Sequence, residues 1–150
     1  KTPYLLQILI HKWFIVLAGI KVRKVHKFPL WRLLIHDWTK FLPIEFVTYR
    51  KKFTGKPYSE KAWEKAKQHH YQHNPHHYQY WIRDGNPNPM PDIYITEMVI
   101  DWMAAGRSYQ GSWDIQAWLR ENHIYIMVHE ETKQKLKPLL QTLGFTWPEV

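Results

Sequence analysis

The chain contains no cysteine, which excludes disulfides, thiolate metal sites and a thiol nucleophile and leaves no argument for an oxidising compartment. Any metal would have to be held by histidine and carboxylate. Also lacking is an uninterrupted apolar run of the roughly 20 residues needed to span a bilayer. The apolar opening from Leu5 to Ile20 is broken near its middle by His11 and Lys12 and carries no small-residue cleavage site. It is expected to be a buried helix in a soluble, cytoplasmic protein with no membrane partner. Internal repeats and low-complexity tracts are absent too.

What is present fits one domain over residues 1–150, since a chain with 45% hydrophobic and 16% aromatic residues can bury a real core. Lys and Arg outnumber Asp and Glu by 21 to 13. The net charge of +8 lies along the chain, with Arg50, Lys51 and Lys52 among its sites, rather than in one basic tail. A small anionic substrate such as a nucleotide is the simplest partner, and nucleic acid the next.

Apolar residues at Leu5, Ile8, Leu9, Ile15, Val16 and Ile20 recur at helical spacing and predict a first helix from about Tyr4 to Val22, with His11 at its centre. Pro29 suits the first turn of a second, Leu30 to about Lys40. Pro43 opens a third, Ile44 to about Phe53, followed by a turn at Gly55 and Pro57. Ser59 caps a fourth, Glu60 to Gln72, which Pro75 interrupts near its end. The stretch Asp84 to Pro91, DGNPNPMP, reads as an irregular loop that could lie over a site. A fifth helix runs from Asp92 to Ala105 and stops at Gly106. A short helix follows Ser112, and a last one, Glu130 to Leu143, bends at Pro138 and stops at Gly144. Ile124 to Val128 alone looks like a strand, and it has no partner. The expected class is all-α: a compact helical bundle with its site-bearing core over about residues 5–106 and the helices of 112–150 packed on it.

His36 and Asp37 stand together inside the apolar stretch LLIHDWTKF. Burying an imidazole beside a carboxylate is costly unless something compensates both, and a divalent cation does so well. A hydrogen-bonded core pair is the plainer alternative. His11 sits mid-helix one short connection earlier, so antiparallel pairing of the first two helices would bring it to the pair. HHYQHNPHH then offers His69, His70, His73, His76 and His77 within nine positions. Residues seven apart share a helix face, which allows His70 with His77 or His69 with His76. Glu97 and Asp101, at i and i+4 among apolar neighbours, would repel one another unless a cation binds them. Glu45 and Tyr49 have the same spacing and could act as supporting partner or proton donor. Asn74 reads as a turn cap.

Taken in order, His11, His36-Asp37, His70, His77 and Asp101 resemble the HD superfamily of metal-dependent enzymes. The resemblance implies that His11, His36, Asp37 and Asp101 hold one ion. It also implies that Asp37 bridges to a second ion held by His70 and His77, or by His69 and His76 in the other register. Lys40, in the family's apolar-apolar-His-Asp-x-x-Lys helix, would face an anionic group of the substrate; a helix-end lysine balancing the dipole is the alternative. The crowded HHxxxNxHH departs from typical members, whose middle histidines lie farther apart. The whole pattern is also similar to a small, poorly characterised family sharing HDxxKF, ExxxY, HHxxxNxHH, PMP and ExxxDW, here His36 to Phe41, Glu45 and Tyr49, His69 to His77, Pro89 to Pro91, and Glu97 to Trp102.

Two chemistries follow from that resemblance. In a metal-dependent phosphohydrolase, one or two Mn, Mg, Zn, Ni or Co ions activate water against a phosphoester. Lys40, Glu45 and Glu97 are then the candidate catalytic groups, and Lys40, Tyr49 and Arg107 would contact the substrate. In a diiron oxygenase the same six ligands hold iron and activate dioxygen. A third reading, from composition, is a non-catalytic nucleic-acid-binding module that stacks bases on nine Trp and nine Tyr. It leaves His36, Asp37 and Asp101 among apolar residues without a reason.

Overall fold

The computed structural model describes residues 2–149. Seven α-helices occur among the described residues: α1 (Tyr4–Arg23), α2 (Trp31–Leu34), α3 (Pro43–Thr54), α4 (Glu60–His73), α5 (Asp92–Gln110), α6 (Gln116–Asn122) and α7 (Glu130–Thr142). The fold is a compact all-α one, as the periodicity implies. Its centre is the pairing of α1 with α5, the most extensive helix contact in the molecule, with α7 packed on α5. Ile15, Ala18 and Val22 of α1 meet Ile95, Met98, Val99, Ile100 and Met103 of α5 and Leu136, Leu139 and Leu140 of α7 in one apolar core. A second, smaller cluster joins Tyr4 and Ile8 to Tyr49 of α3 and Ala66 of α4. His11 falls between the two clusters along α1.

Several expectations from sequence are corrected. The second helix does not run from Leu30 to Lys40: α2 ends at Leu34, and Trp38–Phe41 forms a separate 3-10 turn. Between them Asp37 takes a left-handed conformation, φ 54° and ψ 30°, which no glycine or proline announces. Gly106 does not end α5. It lies inside the helix, where a Cβ would come within 3.2 Å of Ile115, and the helix stops only at Gly111, φ 72°, because the left-handed turn there suits glycine.

The stretch from Asp84 is not wholly irregular, since β1 (Ile82–Arg83) and β2 (Asn86–Pro87) form a two-stranded antiparallel hairpin around Asp84 and Gly85. Its far end does not lie free over a site: Met90 is in the core, and its N–H donates to Thr132 Oγ1. Ile124 to Val128 is no strand; a 3-10 turn, His123–Tyr125, precedes non-regular chain, consistent with the want of a partner strand.

The reading of α1 as a buried helix also fails. Its inner face is buried at Tyr4, Ile8, Ile15, Ala18, Gly19 and Val22, yet Leu5, Leu6, Leu9, Ile10, Trp13 and Ile20 are exposed. Apolar residues on both faces hide the one-sided pattern that marks an amphipathic helix. By length and composition α1 is long and apolar enough to cross a membrane.

Candidate metal centre

The break at Asp37 is what assembles the centre. On a regular helix neighbouring side chains diverge by about 100°, so His36 and Asp37 could not aim at one point. The left-handed residue turns the backbone so that both do, and His36 Nε2 lies 3.6 Å from Asp37 Oδ1. A non-glycine residue held there stores strain of roughly 1–3 kcal/mol, tolerated where the surroundings fix it. Here they do: Lys40 Nζ pairs with Asp37 Oδ2 at 2.6 Å. Lys12 on α1 donates to the carbonyls of Leu34 and His36 at 3.1 and 2.9 Å.

Five imidazoles converge on two aspartates through their Nε2 atoms. His11 and His36 lie 3.1 and 3.3 Å from Asp101 Oδ1. His70, His76 and His77 lie 3.4, 3.1 and 3.9 Å from Asp37 Oδ1. His76 also lies 3.7 Å from Asp101 Oδ2. Donor atoms about 2.1 Å from a four-coordinate ion sit roughly 3.4 Å from one another, and these spacings match.

Two overlapping sets have all their donor atoms within 4.8 Å of one another: His11, His36, Asp37 and Asp101, and Asp37, His70 and His77. His76 belongs with His77 and Asp101 in a further set. The structure therefore gathers all six metal-site candidates. It takes His76 from the other register as well and leaves His69 outside, where its Nδ1 donates to Glu45 at 2.6 Å.

The second nitrogens explain why the Nε2 atoms point inward. Glu97 Oε1 lies 3.0 Å from His36 Nδ1 and 3.4 Å from His76 Nδ1, and Glu45 Oε2 lies 2.8 Å from His70 Nδ1. Burial pushes both glutamates up, but neighbouring histidines outweigh it and keep them ionised. An ionised carboxylate only accepts, so each facing Nδ1 must donate, which leaves a neutral imidazole's Nε2 lone pair free for a cation. Arg32 locks Glu97 in turn, with Nε and Nη2 each 3.1 Å from Oε2. Asn74, beyond capping α4, donates from its side-chain amide to Thr39 Oγ1 and to the His70 carbonyl, both at 2.8 Å.

Electrostatics divide the histidines. Burial opposes charge on His36, yet Asp37, Asp101 and Glu97 raise it to about 10. His70 goes against burial to about 9 through Asp37 and Glu45. Burial and the positive neighbour His36 lower His76, and burial with His76 and His70 holds His77 well below its usual value. Asp37 and Asp101 stay ionised well below the usual carboxylate range despite burial, held there chiefly by His36 and, for Asp101, His11.

Two of the atoms at the centre are buried and make no hydrogen bond among the described residues: Asp37 Oδ1 and His76 Nε2, although they lie 3.1 Å apart. Leaving such groups unsatisfied costs on the order of 1–3 kcal/mol each. His70 and His77 also face each other Nε2 to Nε2 at 2.9 Å. A cation can replace the protons that such crowded donor atoms otherwise share, and the set of histidine and aspartate suits a divalent one.

A cavity of about 240 Å³ opens on this centre through His77 and Asp101. Tyr78, Trp102, Trp118 and Tyr125 form aromatic walls, with Gln79 and Asn122 as polar groups and no Lys or Arg. Trp118, Asn122 and Tyr125 come from the C-terminal third, whose sequence alone suggests no role beyond packing. Other expected substrate contacts lie elsewhere. Tyr49 is buried in the small cluster, its ring 6.0 Å from that of His70. The Arg107 guanidinium lies over Phe14 at 5.1 Å.

The family model described as "Family of unknown function (DUF5662)" matches residues 1–142, and the chain belongs to that family. No curated protein and no solved structure matches it.

Proposed function

Starting from this membership, we propose that the chain is a metal-dependent hydrolase of a phosphoester or nucleotide-like anionic substrate, built around a dinuclear His/Asp centre of the HD-superfamily kind. One observation supports the reading: Asp37 belongs to both donor sets, and its Oδ1 is buried with no hydrogen bond among the described residues, so it could serve two ions. His11, His36, Asp37 and Asp101 would hold one ion and Asp37, His70 and His77 the other, with His76 able to serve either. Divalent ions there, such as Mn, Mg, Zn, Ni or Co, would lower the pKa of water and neutralise charge on phosphoryl oxygens.

The chain's own groups do the rest. Glu97 and Glu45 orient imidazoles rather than move protons, since their oxygens already accept from His36, His76, His69 and His70. Lys40, with its pKa raised because the attraction of Asp37 exceeds the effect of burial, fixes Asp37; a fifth of its side chain is exposed, but it does not line the cavity. The aromatic cavity beside His77 and Asp101 would take the uncharged part of the substrate, with Gln79 and Asn122 as hydrogen-bonding partners. Arg107 has no part in this reading.

The test is hydrolysis of a panel of phosphomonoesters, phosphodiesters and nucleotides by protein loaded with each metal. The expected result is turnover that Asp101→Asn lowers by about a thousand-fold, the scale of losing a metal-held transition state. Oxygen uptake with iron and no hydrolysis with any metal would instead support an HD-like diiron oxygenase. The absence of Lys and Arg from the cavity lining favours that second reading.

A further inference from the structure

The outer face of α1 is apolar along its length, and nothing among the described residues covers it. Leu5, Leu6, Leu9, Ile10, Trp13 and Ile20 follow one another at helical spacing, and Trp13 is 59% exposed. A second apolar edge lies beside it. Lys12 ties the end of α2 to α1 through the carbonyls of Leu34 and His36, and Leu33 sits against Gly19, where a Cβ would collide with it. That arrangement brings Trp31, Leu34, Ile35 and Trp38 next to the stripe, all exposed, Leu34 by 73%. So many large apolar side chains exposed on two adjoining helices mark an interaction face.

Charge selects the partner. Seven of the chain's Lys and Arg residues, and none of its Asp or Glu, precede Asp37. The excess of +8 thus lies almost entirely in the segment that carries this face, with the exposed Lys21, Arg23, Lys24 and Lys27 clustered at the end of the stripe. Pairing the face with a second copy would oppose two such acid-free segments. A nucleic acid would meet the charges but leave the leucines and isoleucines in water. An anionic bilayer surface satisfies both, with tryptophan at the headgroup level and Lys and Arg against the phosphates.

We infer that the α1–α2 face docks the protein on membranes rich in anionic phospholipid, lying on the bilayer and not through it. Crossing is excluded by the same helix's inner face. His11 meets Asp101 at 3.1 Å and Ile8, Ile15 and Val22 are in the core, so inserting α1 across a bilayer would withdraw these residues from the fold. The inference rests on exposure and charge and stands whether or not the centre is hydrolytic.

The experiment is flotation of the whole protein with vesicles of phosphatidylcholine alone and with phosphatidylglycerol added. Binding roughly ten-fold or more stronger to the anionic vesicles, and weakened by salt, is expected. A Leu9→Ser/Trp13→Ser double variant, altering only exposed positions, should lose most of that binding while keeping the wild-type circular dichroism and melting temperature. No binding to either vesicle would overturn the inference. So would a dimer in solution that the double variant dissociates, because the face would then be covered by a second copy. Equal binding of wild type and variant would overturn it as well.

Discussion

The two interiors of this molecule are built on opposite principles. Between α1, α5 and α7 the buried surface is aliphatic, with Ile15, Val99, Leu136 and Leu140 each fully enclosed, and it is stable by exclusion of water alone. One helical turn away along α1, the space between the His36-Asp37 turn, α3, α4 and α5 is filled by Asp37, Asp101, Glu45, Glu97 and five inward-facing imidazoles. Arg32 and Lys40 balance only part of its negative charge. The first needs nothing from outside the chain. The second leaves Asp37 Oδ1 and His76 Nε2 buried without a hydrogen-bond partner among the described residues, a cost that a bound cation would relieve.

Perturbing one interior at a time sharpens this contrast. Leu140→Ala should destabilise the protein by about 2–5 kcal/mol, to a similar extent with and without metal, leaving metal content unchanged; denaturant titration of both forms checks it. Chelation should act only on the polar interior. Metal at 100 times its Kd contributes about 2.7 kcal/mol to stability, so the melting temperature should rise by several degrees on loading and fall back with chelator. An unchanged melting temperature would break the comparison.

Smaller effects are expected from the carboxylates behind the imidazoles. Glu97→Gln and Glu45→Gln should each weaken metal binding about 10- to 100-fold without abolishing it, read by competition with a chromogenic chelator. Glu97→Gln should cost more, because Glu97 faces both His36 and His76.

The pH dependence separates the metal-free and loaded states by sign. In the metal-free protein the His36 and His70 pKa values are raised to about 10 and about 9. Their contribution to stability is complete below about pH 6.5 and is lost as pH rises through those values. Metal binding must displace those protons, so affinity should rise with pH over the same window, by up to about ten-fold per pH unit for each proton released. Thermal melts from pH 7 to 9 should therefore show metal-free stability falling while the gain from metal grows.

Much of the fold was legible because periodicity and capping are local: α1, α3 and α4 begin and end within a residue or two of where apolar spacing, Pro43, Ser59 and Gly55 put them. The ordered histidines and aspartates also pointed to the residues that converge. What escaped was set by tertiary structure. No glycine in LLIHDWTKF announces a left-handed Asp37; the strain is held by Lys12 from α1 and by Lys40 from the turn that follows. Arg32 gave no signal, its partner Glu97 being 65 positions away. Helical spacing favoured pairs seven apart, so it did not show that Pro75 and the turn after α4 bring His76 in alongside His77. Gly106 looks like a helix stop from sequence because its use, the close passage of Ile115, is visible only once the chain has folded back.

The central claim, that this interior is a metal centre bridged by Asp37, is tested most directly by elemental analysis of untagged protein alongside Asp37→Asn. Asparagine tolerates the left-handed backbone, so the variant should fold. One or two transition or divalent ions per wild-type chain and none in a folded Asp37→Asn is the predicted result. Wild-type protein that takes up no Mn, Mg, Zn, Ni, Co or Fe under any loading condition, while retaining its full stability, would contradict it.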